Sequence, residues 1–255
     1  MDTKRLATLR NLTLVLVCVF FVLAACTPAA TPVSTATSAP GESAQGKKDF
    51  TICQINASLA EPWNVQMDED IKTAAAQYPN AEFPNVTVTV QYKDSQGDVL
   101  RQRAQLEECI LAKVDAILIG PIESGPMTEP VSLAMDAGIP VFLIARGVNG
   151  EKFTQYVGSD EFKLSYAQTQ WVVEKYKGQK AKVVYLQGLM TSTPAQERYE
   201  GFLKAIEGSD IEVIFTADAK WDEATARSEM ESALARFSDI DVVIGANDPA
   251  AHGAY

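Results

Sequence analysis

Ala116-Ile117-Leu118-Ile119 is followed by Gly120-Pro121-Ile122-Glu123-Ser124; a helix-length segment then leads through Asp136-Ala137-Gly138-Ile139-Pro140 into Val141-Phe142-Leu143-Ile144. Each of the two four-residue runs is apolar throughout, without the polar alternation of a half-exposed strand. Such runs belong to strands buried on both faces. The intervening segment predicts a helix through Met135, which Gly138 and Pro140 bring to an end. Strand, helix, strand at this spacing is a βαβ unit, and it commits the chain to a parallel sheet covered by helices.

The same rhythm extends in both directions. Upstream, strands are expected at residues 50–55 and 86–92, with helices at 62–77 and 98–113. Pro62 is suited to a first helical turn, and Val65, Ile71 and Ala75 are its inward candidates. After Gly158 the order repeats, with helices at 160–177, 193–206 and 222–237 alternating with strands at 182–186, 211–215 and 242–245. Another helix starts at Pro249. Two successive blocks of this kind define an α/β protein with two doubly wound parallel-sheet lobes, 49–158 and 159–255.

The first 48 residues read differently. Lys4, Arg5 and Arg10 precede an almost wholly apolar run, residues 12–25, that is short for a membrane span. It ends in Leu23-Ala24-Ala25-Cys26, which resembles a bacterial lipobox. Residues 1–25 are therefore expected to be a lipoprotein signal peptide and Cys26 the lipidated residue; the alternative is an uncleaved anchor with a chance cysteine. Residues 26–48 are rich in Thr, Ala, Ser and Pro, a composition that buries little and makes a flexible tether.

The 255 residues carry a net charge of −11, 33 acidic against 22 basic. That balance argues against nucleic acid, whose phosphates need a surplus of Lys and Arg. Cys53 and Cys109 lie outside the signal segment and lack metal-ligand spacing. Export permits a disulfide between them; two buried free thiols are the expectation. No cofactor or metal is expected. Phosphate-loop, dinucleotide and nucleophile-elbow motifs are absent, and the single His252 is better suited to packing than to catalysis. An enzyme is not expected, although carboxylate pairs for glycoside hydrolysis are not excluded by spacing.

In open parallel sheets, ligands bind beyond the carboxyl ends of the strands. Those ends fall at residues 57–63, 94–97, 120–124, 145–146, 187–193, 217–221 and 246–248, and they hold two of the three tryptophans. Lys93-Asp94-Ser95-Gln96, Gly120-Pro121-Ile122-Glu123-Ser124 and Ala137-Gly138-Ile139-Pro140-Val141 resemble the first lobe of ribose-type periplasmic binding proteins. Gly158-Ser159-Asp160, Leu186-Gln187-Gly188, Glu197-Arg198-Tyr199-Glu200-Gly201-Phe202 and Ala246-Asn247-Asp248 resemble the second lobe. The galactofuranose-binding branch is at least as similar as the ribose branch.

The resemblance implies the type I periplasmic binding protein fold, with a three-strand hinge closing two lobes over one monosaccharide. It also implies delivery to an ABC permease and its ATPase subunit, by a monomer that meets the membrane only through its lipid, in the periplasm or on the outer face of the cytoplasmic membrane. A sensory protein coupled to a chemoreceptor or histidine kinase is the alternative. A sugar-responsive repressor would carry a basic helix-turn-helix where this chain has its signal segment and tether. The family continues with a further strand and helix and then returns to the first lobe. The second lobe is therefore expected to be incomplete and the chain cut short of its natural end.

Carried over residue by residue, the ligand-binding set is Glu61, Trp63, Arg146, Arg198, Trp221 and Asn247. Trp63 and Trp221 would pack aromatic faces on the C–H faces of a sugar, one from each lobe. Arg146 and Arg198 would donate to neighbouring oxygens. Glu61 is either a hydroxyl acceptor or a surface carboxylate at a helix start, and Asn247 is a ligand contact, a helix cap, or both. Asp94 and Asp160 are expected to cap or brace near the cleft. The sequence departs from the family at Ala145, where the resemblance expects an aspartate that accepts from hydroxyls. That points to a less hydroxylated or partly anionic ligand.

Overall fold

The computed structural model describes residues 49–255; the expected signal peptide, the lipidation site Cys26 and the tether lie outside the described residues. Strands β1 (Asp49–Asn56), β2 (Thr87–Asp94), β3 (Ala116–Ile119), β4 (Val141–Ile144) and β5 (Gln155–Val157) form one sheet in the order β2-β1-β3-β4-β5. Every pairing in it is parallel. A second parallel sheet, order β7-β6-β8, holds β6 (Ala181–Gln187), β7 (Ile211–Asp218) and β8 (Val242–Gly245). Between the strands run α1 (Pro62–Ala75), α2 (Val99–Leu111), α3 (Ser124–Asp136), α4 (Glu161–Lys175), α5 (Thr193–Ile206), α6 (Glu223–Arg236) and α7 (Asp248–Ala254). β5 was not expected from the sequence, because three residues are too few to show a period.

On one face of the first sheet, alternate residues Cys53, Ile55, Ile117, Ile119, Val141 and Leu143 meet Leu106 of α2 and Met127, Val131 and Ala134 of α3. The opposite face is built differently where α1 crosses β1. Gln54 and Asn56 are buried there, and the Asn56 amide donates to Asp68 Oδ1 at 2.5 Å. Burial raises the pKa of the Asp68 carboxyl above its ordinary value. Of the inward candidates on α1, Val65 is instead exposed, because the polar Asn64 and Asp68 occupy the helix stripe that faces the sheet.

The second sheet is apolar on both sides. Val183 and Tyr185 pack with Val172, Phe202 and Ile244, while Val184 and Leu186 pack with Ala226, Met230, Ala233 and Ala250. Helices α4 and α5 pack closely: a Cβ at Gly201 would fall 2.3 Å from the Phe162 carbonyl oxygen.

Cys53 and Cys109 are joined in a disulfide, which corrects the expectation of free thiols. Both point into the layer between β1 and α2 with Cα atoms 6.3 Å apart, within bridging range. The sequence shows the two elements but not that these two positions face each other. The bond joins residues separated by 56 positions, and chain-entropy arithmetic gives it about 4 kcal/mol of stabilisation. Reduction, or Cys53→Ser with Cys109→Ser, should lower unfolding free energy by about that amount. Urea denaturation with and without reductant measures it, and an unchanged midpoint would show that the bond contributes nothing.

Candidate functional site

In each sheet the chain leaves a central strand on one side and returns on the other, so a topological switch point lies between β1 and β3 and another between β6 and β8. The loops at these carboxyl ends supply the candidate site. The loop after β1 is fixed from two sides. Asp94 Oδ1 accepts the N–H groups of Leu59 and Gln96 at 3.2 and 2.9 Å, and Asn64 Nδ2 donates to the Ser58 carbonyl at 2.7 Å. Glu61 precedes α1 at the cap position, yet its side chain caps nothing. Its carboxylate accepts from Arg146 Nη2 at 3.3 and 3.4 Å.

Arg146 is aimed by the tight turn after β4. Ala145 has φ 57°, and the Arg146 N–H closes back on the Ile144 carbonyl at 2.7 Å. Burial lowers the pKa of the Arg146 guanidinium and raises that of the Glu61 carboxyl; in both groups desolvation outweighs the attraction between them. Nearby Arg198 also presses Arg146 downward.

The second sheet contributes Trp221 by an unusual route. Lys220 and Trp221 both have positive φ, 55° and 66°, in a turn closed by the Asp222 N–H on the Ala219 carbonyl at 2.8 Å. Two consecutive left-handed residues, the second an indole, are costly and are found where the surrounding structure imposes them. Here the indole lies against position 188, where a Cβ would fall 2.3 Å from its ring carbons, so only glycine fits there. The ring is 6% exposed, packed with Ala195 and Ala246. Its Nε1 is buried without a hydrogen-bond partner.

Arg198, on α5, lies over the Trp221 ring at 5.3 Å, and Arg146 lies over it at 5.8 Å. Arg198 Nε donates to Glu161 Oε2 at 2.6 Å, and its Nη1 donates to the Ala246 carbonyl. Asn247 caps α7 by accepting the Ala250 N–H at 2.9 Å, while its Nδ2 donates to the Trp221 carbonyl at 3.1 Å. The lobes touch beside this cluster. The Gly147 N–H donates to Thr193 Oγ1 at 2.7 Å, and the Ser124 N–H donates to the Thr191 carbonyl at 3.0 Å.

Five of the six sequence-derived candidates, Glu61, Arg146, Arg198, Trp221 and Asn247, thus form one connected cluster. Trp63 stands outside it, 57% exposed on the first turn of α1. Asp160 caps α4 by accepting the Lys163 N–H at 2.9 Å. His252 is not packed; it is exposed and lies 3.0 Å from Glu223. Glu161, buried and holding both Arg198 and the Ser159 hydroxyl, was missed. Its only sequence signal was its place beside Asp160. Burial, together with Glu161 and Glu197, pushes the neighbouring Tyr156 phenol up to about 12. Among the described residues no acidic, histidine or cysteine cluster could hold a metal, and no helix is long and apolar enough to cross a membrane. A shallow groove lined by Lys72, Tyr78, Val88 and Tyr92 lies between α1 and β2, away from the residues of this cluster.

The periplasmic binding protein domain matches residues 52–255, and the chain belongs to that family, with its type I fold. The chain is 30% identical over 208 residues to the ribose import binding protein RbsB of Bacillus subtilis, covering 82% of this chain and 65% of that protein. It is 34% identical to the fructose-binding periplasmic domain of a hybrid two-component system, with TM-score 0.75, covering 81% of this chain and 66% of that one. A solute-binding protein of an ABC transporter from Bacillus halodurans, solved with bound myo-inositol, is 27% identical with TM-score 0.74, covering 82% and 71% of the two chains. The chain therefore spans about two thirds of the length of the proteins it resembles.

Removing one partner of a buried ion pair leaves an uncompensated charge. Glu161→Ala should accordingly lower unfolding free energy by about 3 kcal/mol, the low end of the range because Arg198 keeps some solvent access. Denaturant titration tests this, and an unchanged midpoint would mean that the pair is not formed in solution.

Proposed function

We propose that the protein is an extracytoplasmic sugar-binding lipoprotein that captures a monosaccharide for an ABC permease and its ATPase subunit and performs no chemistry on it. The observation that carries this reading is the cluster of Trp221, Arg146 and Arg198, in which side chains from both lobes converge on one indole at the strand ends. Aromatic face and guanidinium forks are what a polyhydroxylated ring needs, one for its C–H surface and the other for its oxygens. The sugars and inositol named for the related proteins support the same ligand class. In this reading Glu61, Trp63, Arg146, Arg198, Trp221 and Asn247 contact the ligand, and exposed Trp63 becomes covered when it binds. Ligand held by both lobes favours their closure, and the closed form is what the permease recognises. Cys26 carries the lipid, residues 26–48 tether the lobes to it, and the protein works as a monomer in the periplasm or on the outer face of the cytoplasmic membrane.

The similarity to a two-component periplasmic domain favours a second reading, in which the same binding event is reported to a membrane sensor. The neighbouring genes separate the two: permease and ATPase for transport, a chemoreceptor or histidine kinase for sensing.

Tryptophan fluorescence of the complete protein, titrated with pentoses, hexoses and their furanose forms, should show a saturable change with one sugar. Trp63→Ala should weaken that binding about tenfold, the loss of one aromatic contact; full affinity in both Trp63→Ala and Trp221→Ala would refute the site. Cys26→Ser should move the protein from the membrane to the soluble fraction on cell fractionation, and continued membrane association would refute the lipid anchor.

A further inference from the structure

The cluster around Trp221 has an imbalance of hydrogen-bonding groups. Trp221 Nε1 is a donor only, 6% exposed as a residue and without a partner; a buried orphan of this kind calls for an acceptor. Around the same ring, Arg146 spends only Nη2, on Glu61, leaving Nε and Nη1 without protein partners among the described residues. Arg198 spends Nε on Glu161 and Nη1 on the Ala246 carbonyl, leaving Nη2.

The acceptors within this cluster already receive protein donors. The Ala246 carbonyl receives Arg198, Asn247 Oδ1 receives the Ala250 N–H, and Glu161 receives both Ser159 and Arg198. Glu61 faces Arg146. Position 145, next to Arg146, has the left-handed backbone that Asn and Asp tolerate best, yet it carries alanine and offers no acceptor. A neutral sugar brings a proton with every hydroxyl and needs acceptors to receive them, whereas a carboxylate only accepts.

We propose, building on the sugar-binding reading, that the ligand is a sugar acid, a uronic or aldonic acid, whose carboxylate is received by Trp221 Nε1 with the unspent N–H groups of Arg146 and Arg198. The Arg146–Glu61 contact is the looser of the two ion pairs, 3.3 Å against 2.6 Å for Arg198–Glu161. The two unused donors of Arg146, Nε and Nη1, lie on different sides of the guanidinium, so each offers a carboxylate oxygen a single charge-assisted hydrogen bond. The two guanidiniums already face two carboxylates, so the ligand's single charge is received by their unspent N–H donors and not by surplus positive charge; a phosphate would bring close to two.

Calorimetric titration of the complete protein at neutral pH with galacturonate, glucuronate and gluconate, their neutral parent sugars, and glucose 6-phosphate tests this directly. The expected result is an acid bound at least about tenfold tighter than its parent, the effect of one charge-assisted hydrogen bond. Trp221→Phe keeps a ring and loses the N–H, and should cut the acid-to-neutral preference about tenfold. Ala145→Asp adds an acceptor and should shift the preference toward the neutral sugar. Circular dichroism confirms that each variant is folded. Equal or tighter binding of the neutral parent overturns the sugar-acid assignment while leaving the sugar-binding reading intact. Tighter binding of the phosphate overturns the carboxylate in favour of a phosphosugar. An unchanged preference in Trp221→Phe removes Nε1 from the proposal; no binding by any of these compounds overturns the sugar-acid assignment, and the sugar-binding reading falls only if the pentoses, hexoses and furanose forms fail as well.

Discussion

The indole of Trp221 can lie at the end of β6 only because position 188 has no side chain. Much of the candidate site follows from that contact. With its ring seated on Gly188, Trp221 is held in a left-handed turn that an isolated peptide would avoid. Its carbonyl then accepts from Asn247, which joins the turn after β7 to the cap of α7 after β8. Its ring lies under Arg198 from α5 and Arg146 from the other lobe. One absent Cβ thus lets elements from both sheets meet at a single side chain.

The two arginines are held at different distances by carboxylates of different exposure. Glu161 is nearly enclosed and grips Arg198 at 2.6 Å, with a backbone carbonyl on the other side of the guanidinium. Removing either partner of such a pair would leave the other charge buried and uncompensated. Glu61 keeps more solvent and reaches Arg146 at 3.3 Å. Desolvation works against the charged form of both members of that pair and outweighs the attraction between them.

Much of this was legible in the sequence. Residues 116–119, 141–144 and 242–245 are apolar runs cut off by Gly, Pro or Asp, and the strands have those bounds. β7 continues past Phe215 to Asp218, because Thr216, Ala217 and Asp218 pair with Tyr185, Leu186 and Gln187; that pairing depends on a neighbour, not on local composition. At the site, the rule that ligands gather beyond strand ends marked the loops that hold Glu61, Trp63, Arg146, Trp221 and Asn247, and the family resemblance picked out those residues within them. It could not locate Glu161, whose partner is 37 residues away on another helix. Nor could it show that Leu100 and Leu111 of α2 face outward, or that Cys53 and Cys109 face each other across β1 and α2. Those facts belong to how elements are rotated against one another, which periodicity leaves open.

The Cys53–Cys109 bridge also has a consequence in time. A chain that crosses the cytoplasmic membrane by the export route proposed here starts in a reducing compartment, where this bond does not persist. Until it is oxidised, the first lobe lacks the constraint between its central strand and α2, and its newly made chain stays easier to keep unfolded. The final increment of stability then arrives on the far side of the membrane. In the export reading, the bond would close only after the chain reaches an oxidising compartment.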